Sequence, residues 1–364
     1  MLTKIDWYII KKFLKTFFFT VFIFLLIAIA IDFSEKIEKF IESPITKNEI
    51  WLQYYPTFIL FISGLLWPLF ILVAVIFFTS RMASNSEIIS IFNAGVSFKR
   101  LLRPYLVAGF FLAGIHYISS SYLIPKGNKT RLDIEHAYLY THNDKGKKHD
   151  VHLFVAPDTK IFINNYRKKD STSTIRNFRL EHFKDGKLDY ILKANPAEWI
   201  GPPNKWRLQN YQIRTINGMH ETLELHSGES MDTTINFTPE DFVDFVSQQA
   251  MLTSPELKAV IAKRTERGAG GLEKYKVELY KRTAEPFTII ILILIGVSIS
   301  ARKVRGGIGM HLAIGMAIGA MLVLLSKFVA VFANSQIISP LFGVWIPNII
   351  FGLVAFYLIR QAQN

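Results

Sequence analysis

The stretch HDVH, with His149 and His152, is the nearest approach to a metal-ligating pair in this sequence. Carried on a strand it could hold an ion. Beside a turn such a stretch is ordinarily solvated polar surface. Phosphate-cradling loops are no better represented. KGNKTR, around Gly127, is too short and out of order. RGAGGLEK, around Gly268, lacks a preceding strand and a following hydroxyl. No G-x-x-x-x-G-K-[ST], H-E-x-x-H or G-x-S-x-G occurs, and the chain has 0 Cys, which removes thiol chemistry, disulfides and cysteine metal sites. The acceptor-like triplets NKT and NFT are short enough to arise by chance. The sequence therefore predicts neither an enzyme nor a cofactor.

Chemistry remains available to charges placed in apolar surroundings. A lysine near a bilayer centre costs roughly 2.5–3.5 kcal/mol, so such residues reach the headgroups or face a partner. Lys327, near the outer end of an apolar run, either snorkels or meets an anionic ligand. Asp32, Glu35, Lys36, Glu38 and Lys39 close the first apolar run. They read either as i,i+3 and i,i+4 pairs at a helix end or as a binding set. Gly315 and Gly319 form a G-x-x-x-G with small neighbours. That face admits a close helix neighbour, from this chain or from another.

The elements that carry these groups follow from composition. Half of the 364 residues are hydrophobic and 30 are Phe. This is the composition of a polytopic membrane protein, and the net charge of +13 then belongs to span ends rather than to nucleic acid binding. Six spans are expected, at about 13–31, 56–79, 104–125, 286–301, 306–331 and 340–359. The fourth is short and is extended backwards through YKRTAE. The first run follows a long charged lead with no small-residue cleavage site, so a retained span is expected. Lys4, Lys11, Lys12 and Lys15 precede span one; Arg81, Lys99, Arg100 and Arg103 follow span two; Arg302, Lys303 and Arg305 follow span four; Arg360 follows span six. These positive charges fall on one side, which predicts cytoplasmic termini and an external middle segment.

In that middle segment the hydrophobic period becomes two. VHLFVA, TKIFINN, IRNFRLEHF, KLDYILKA, KWRLQNYQIRT, ETLELHS and MDTTINF alternate between turn signals, and KDGK reads as a tight hairpin. A sandwich or jelly roll is expected. Its apolar face is either a filled core or a greasy interior open to an acyl chain. The predicted organisation is spans one to three over 1–125, an all-β jelly-roll-like domain over 126–250, a helical return over 251–285 and spans four to six over 286–364.

One stretch between spans, SRMASNSEIISIFNAGVSFKR, reads as an amphipathic helix over about 81–96 carrying the single acid Glu87. NSEIISIFNAGVSFKRLL, together with KWRLQNYQIR, FTPEDF and ELYKRTAEPF in that order, resembles the LptF/LptG (YjgP/YjgQ) permease family over essentially the whole chain. The resemblance implies a subunit of the ABC-type lipopolysaccharide exporter in the Gram-negative inner membrane. It implies as partners a second permease of the family, a cytoplasmic ATPase dimer and periplasmic jelly-roll proteins. It makes Glu87 the contact to the ATPase, with Ser86, Arg81, Ala94 and Gly95 around it. It makes spans one and five lateral gates, and it puts Lys36, Lys39, Lys327, Lys126, Lys129 and Arg131 in the regions that meet lipid phosphates. Asp32 and its acidic neighbours depart from the more basic character of the family there. Other readings of the same elements are a permease for another lipid or lipoprotein, and a membrane-anchored β-domain scaffold.

Overall fold

The computed structural model describes residues 3–139, 149–169, 172–202, 204–239, 248–268, 271–302 and 307–363. The chain divides into a helical unit (1–139, 249–255 and 273–364) and a second unit (140–248 and 256–272).

Among the described residues, six helices are long and apolar enough to cross a membrane. α1 (Lys4–Glu42) opens on a capping box, in which Thr3 and Asp6 satisfy each other's backbone donors. α2 (Tyr55–Ser84) follows a π-helical turn, Glu49–Tyr54. The short α3 (Glu87–Asn93) leads into α4 (Phe98–Ile118). α4 continues through a π turn, Ser119–Leu123, into α5 (Ile124–Ile134) and a last π turn, Glu135–Leu139. Residues 126–139, expected to open the β domain, are thus helical: polar sequence marks where this helix leaves the apolar layer, not where it ends. After the second unit come α7 (Glu273–Ser300), α8 (Gly307–Asn334) and α9 (Pro340–Gln363). Lys303 and Arg305 lie outside the described residues.

α2 is central, packing on α1, α5, α7 and α8. Its inner face buries Phe70, Ile71, Leu72, Val75 and Ile76. Glycines bring the neighbours close: a Cβ on Gly296 of α7 would lie 2.3 Å from Val75, and one on Gly315 of α8 would lie 2.0 Å from Ile76. Gly319 faces Leu72 in the same way. The G-x-x-x-G face is therefore filled by this chain's own second span. Of the six candidate spans, α1 is the least enclosed along its apolar stretch. Ile9, Phe13 and Phe17 are buried at one end and Asp32, Lys36 and Phe40 at the other, while nothing from Phe18 to Ile31 is buried.

Among its described residues the second unit carries seven antiparallel strands: β1 (His149–Ala156), β2 (Thr159–Lys169), β3 (Thr172–Lys184), β4 (Lys187–Ala194), β5 (Ala197–Gly201), β6 (Lys205–Asn217) and β7 (His220–Thr234). β4 and β5 lie end to end between β3 and β6, with β1 and β7 at the two edges. The expected KDGK hairpin is present. Asp185 and Gly186 both take positive φ, 52° and 74°, as a two-residue hairpin turn of matching twist requires. Ile161, Leu180, Leu192 and Ile213 stand in one row across four strands. That face packs around Trp206, which is fully buried, stacks on Phe237 at 4.5 Å and donates its indole N–H to the Phe237 carbonyl at 3.1 Å. The face is packed around Trp206, Phe178 and Phe237, while Leu180, Tyr190 and Ile213 are only partly buried.

A row of short polar residues crosses this sheet where β4 gives way to β5. Asn164 donates to Asp150 at 3.0 Å, and Asn177 donates to Asn164 at 3.5 Å. Asn195 accepts from the Asn177 N–H through its side chain and from Asn210 through its carbonyl. Asn210 in turn accepts from the Gly228 N–H at 2.8 Å. Asp150, Asn177, Asn210 and Gly228 all have positive φ. These residues, with the register shift between Gln209 and Tyr211, mark a local irregularity of the ladder along this line.

α6 (Ser254–Glu266) begins the return, with Pro255 at its first turn. Residues 240–242 of the FTPEDF motif, and residues 269–270 of the Gly-rich break, lie outside the described residues.

Candidate functional site

Two sets of charged residues sit at opposite ends of α1. The first surrounds α3. Ser86, at φ 61°, and Gly95, at φ 79°, bound this helix with left-handed backbone, so it is seven residues long and separate from both spans. Arg81 belongs instead to the last turn of α2 and is exposed. The apolar residues of α3 are spaced i, i+3, i+4: Ile88 is fully buried, and Ile91 and Phe92 pack beside it against the bundle core. Ile89, Ser90, Asn93, Ala94 and Gly95 face outward. The structure thus gathers Ser86, Glu87, Ala94 and Gly95 around one short helix.

Glu87 is half-buried. The Tyr8 hydroxyl of α1 donates to one of its carboxylate oxygens at 2.9 Å. Its other oxygen has only a long contact, 3.5 Å, from the Asn85 amide. Lys12 donates to the same Tyr8 hydroxyl. On the far side of α3, Arg100 lies in the first turn of α4, where the helix dipole disfavours a cation. Asp6 of α1 offsets this with a bidentate pair at 2.8 and 2.6 Å. Sequence reasoning did not single out Asp6 or Tyr8. The T-x-x-D box at 3–6 was the available signal for Asp6.

The second set lies at the other end of α1. The Lys36 ammonium donates to Asp32 at 2.7 Å, to Glu135 at 3.2 Å and to the Tyr54 hydroxyl. Tyr54 donates to Asp32, and Arg131 donates to Glu135 at 2.8 Å. Arg131 also lies 4.1 Å over the Phe61 ring. Two acids and two bases therefore cancel inside the chain, and Lys36 and Arg131 are brought together through Glu135. Lys39 is partly buried nearby on α1, while Lys126 and Lys129 are exposed on α5. Lys327 is exposed on α8, which packs on α2, α7 and α9, and makes no ion pair among the described residues. These cations do not form one cluster.

A third polar group was not foreseen. His116 of α4 is fully buried, donates through Nε2 to the Glu285 carboxylate of α7 at 2.9 Å, and lies against Trp67. Lys281 pairs with the same Glu285. A lone histidine in an apolar run gives no pattern by which to find it. Among the described residues, no group of His, Asp and Glu is arranged to hold a metal ion.

The family described as lipopolysaccharide export system permease LptF/LptG matches residues 7–361. The chain belongs to the LptF/LptG family. No curated protein matches it closely enough to carry a comparison. Membership of the LptF/LptG family fixes the general role as a lipopolysaccharide transport permease with the chemistry of transport rather than of a reaction. It accounts for the three-plus-three arrangement of spans around an inserted β domain.

Proposed function

We propose that this LptF/LptG-family chain extracts lipopolysaccharide from the outer leaflet of the inner membrane, driven by ATP hydrolysis in a separate cytoplasmic ATPase dimer. Both termini are cytoplasmic, as the basic loops favour. A second permease of the family pairs with this one, α1 and α8 line the lateral openings, and lipid leaves through periplasmic jelly-roll partners that join the β domain by strand addition. The lysines on α5 and α8 meet the lipid phosphates. The observation that carries the reading is α3: a short helix, pinned by Ile88 and presenting Glu87 with an oxygen to spare. A helix so held transmits a push into the spans on either side of it.

The test is a detergent pull-down of tagged wild-type and Glu87→Ala protein from native membranes, with partner identification and an ATPase assay. Wild type is expected to bring down an ATPase and a second six-span permease. The variant is expected to lose the ATPase or its coupling to transport while remaining folded. Normal export by a stably inserted Glu87→Ala protein would remove Glu87 from the site. Absence of any ATPase with folded wild type would favour an anchored β-domain scaffold. A different copurifying lipid would redirect the substrate assignment.

A further inference from the structure

We infer that the cytoplasmic foot of α1 is a working part of the coupling site, with Tyr8 and Asp6 as positioning residues that clamp α3 and the start of α4 to the first span. The inference rests on α3 being the ATPase contact, and adds that displacement of α3 is delivered to α1 directly.

Three observations carry it. First, α1 grips both flanks of α3: Tyr8 holds Glu87 at its N-terminal end, and Asp6 holds Arg100 beyond its C-terminal end. These bonds join residues 79 and 94 positions apart, so they exist only because this helix is seated there. Second, the grip is stiff. Asp6 is 3% exposed and also accepts from the Thr3 N–H at 2.6 Å and the Thr3 hydroxyl at 3.0 Å. Just above, Phe13 packs on Phe78 of α2 and Tyr105 of α4, and the Thr79 hydroxyl donates to Tyr105 at 3.0 Å. Third, α1 is one unbroken helix from Lys4 to Glu42. Its middle packs on the bundle through partly buried Val21, Ala28 and Ile29 and through the Phe24 ring, 5.3 Å from Phe70, so movement of the foot passes along a continuous rod. At about 1.5 Å per residue the helix carries that movement roughly 45 Å, from Asp6 to the charged set around Lys36. The arrangement also leaves Glu87 free to engage a partner without releasing Tyr8, since its second oxygen has only the 3.5 Å contact.

The chain has 0 Cys, so spin labels can be placed without removing native thiols. Labels at Phe19 on α1 and Leu324 on α8, both exposed, report the separation of the two helices in the assembled complex in lipid, with and without a non-hydrolysable ATP analogue. Wild type is expected to shift its distance distribution on nucleotide binding. Tyr8→Phe, which removes one hydroxyl from a partly exposed ring, is expected to keep the ATPase bound but to shrink that shift. It should also consume about two- to tenfold more ATP per lipid extracted, the range set by the net worth of one solvent-exposed hydrogen bond. Asp6→Asn is expected to act in the same direction and more strongly. If Tyr8→Phe retains both the wild-type shift and the wild-type ATP-to-lipid ratio, the clamp does not couple. If wild type binds the ATPase yet shows no shift, α1 is not driven from its foot. Loss of the ATPase from wild type would instead overturn the underlying reading of α3.

Discussion

Lys36→Met separates two roles for one residue: a lipid contact, as the family resemblance implies, and a brace inside the chain. The lysine side chain is 11% exposed and holds Asp32 and Glu135, each 9% exposed. Without it, Glu135 keeps Arg131 at 2.8 Å, but Asp32 keeps only the Tyr54 hydroxyl among the described bonds. One buried carboxylate is left uncompensated, which costs about 3–5 kcal/mol. Adding Asp32→Asn removes both charges together and should recover most of that loss. Lys327→Met, on an exposed residue, should stay within about 0.5 kcal/mol of wild type. The assay is thermal unfolding in detergent stripped of lipopolysaccharide, so that ligand loss cannot lower the midpoint. The expected order is Lys36→Met well below the double variant, with Lys327→Met at wild type. A Lys36→Met protein that melts like wild type yet fails to bind lipid would refute the brace and restore the contact.

Two further outcomes follow from packing. Gly296→Ala and Gly114→Ala share the same mid-helix propensity change, but the new Cβ meets Val75 at 2.3 Å in the first and nothing within 4 Å in the second. The first variant should be less stable than the second by about 1–3 kcal/mol, and Val75→Ala should rescue it; equal midpoints would mean that α7 and α2 are not in close contact. Trp206→Ala should cost the β domain about 3–5 kcal/mol and appear as new protease cuts within 149–239 of the full-length chain, whereas an unchanged digestion pattern would deny Trp206 its central place.

The spans were legible because the bilayer demands long uncharged runs, and the strands because one face of each is buried and the period is two. KDGK announced its turn by residue type alone. β5 escaped notice because AEWIG is too short to show a period and is joined to β4 across Asn195–Pro196. The helical course of 126–139 was hidden because KGNKTRLDIEHAYL is polar enough to resemble a loop. At the site, Glu87 could be found from its isolation on an amphipathic segment. Tyr8 and Asp6 could not, since their importance lies in contacts made across the fold. Gly315 and Gly319 fixed the existence of a close helix approach, and only packing revealed Ile76 and Leu72 as the other side. Lys36 shows the same limit: sequence gives a charge, but its neutralisation by Glu135 spans 99 residues.

The amide row through Asp150, Asn164, Asn177, Asn195, Asn210 and Gly228 bears on how another polypeptide could extend the β domain. Both edges of the sheet end on residues of this row with left-handed backbone, Asp150 on β1 and Gly228 on β7. A straight ribbon laid along β7 would meet Gly228 part-way, whereas on β1 only His149 lies beyond Asp150 among the described strand residues. To follow the whole edge, a guest strand must itself bend at that level, which calls for Asn, Asp or Gly there. If a partner strand adds along β7, as proposed above, the left-handed residue at Gly228 would set its alignment, and a slip of one or two residues would put the guest's bend out of step with it.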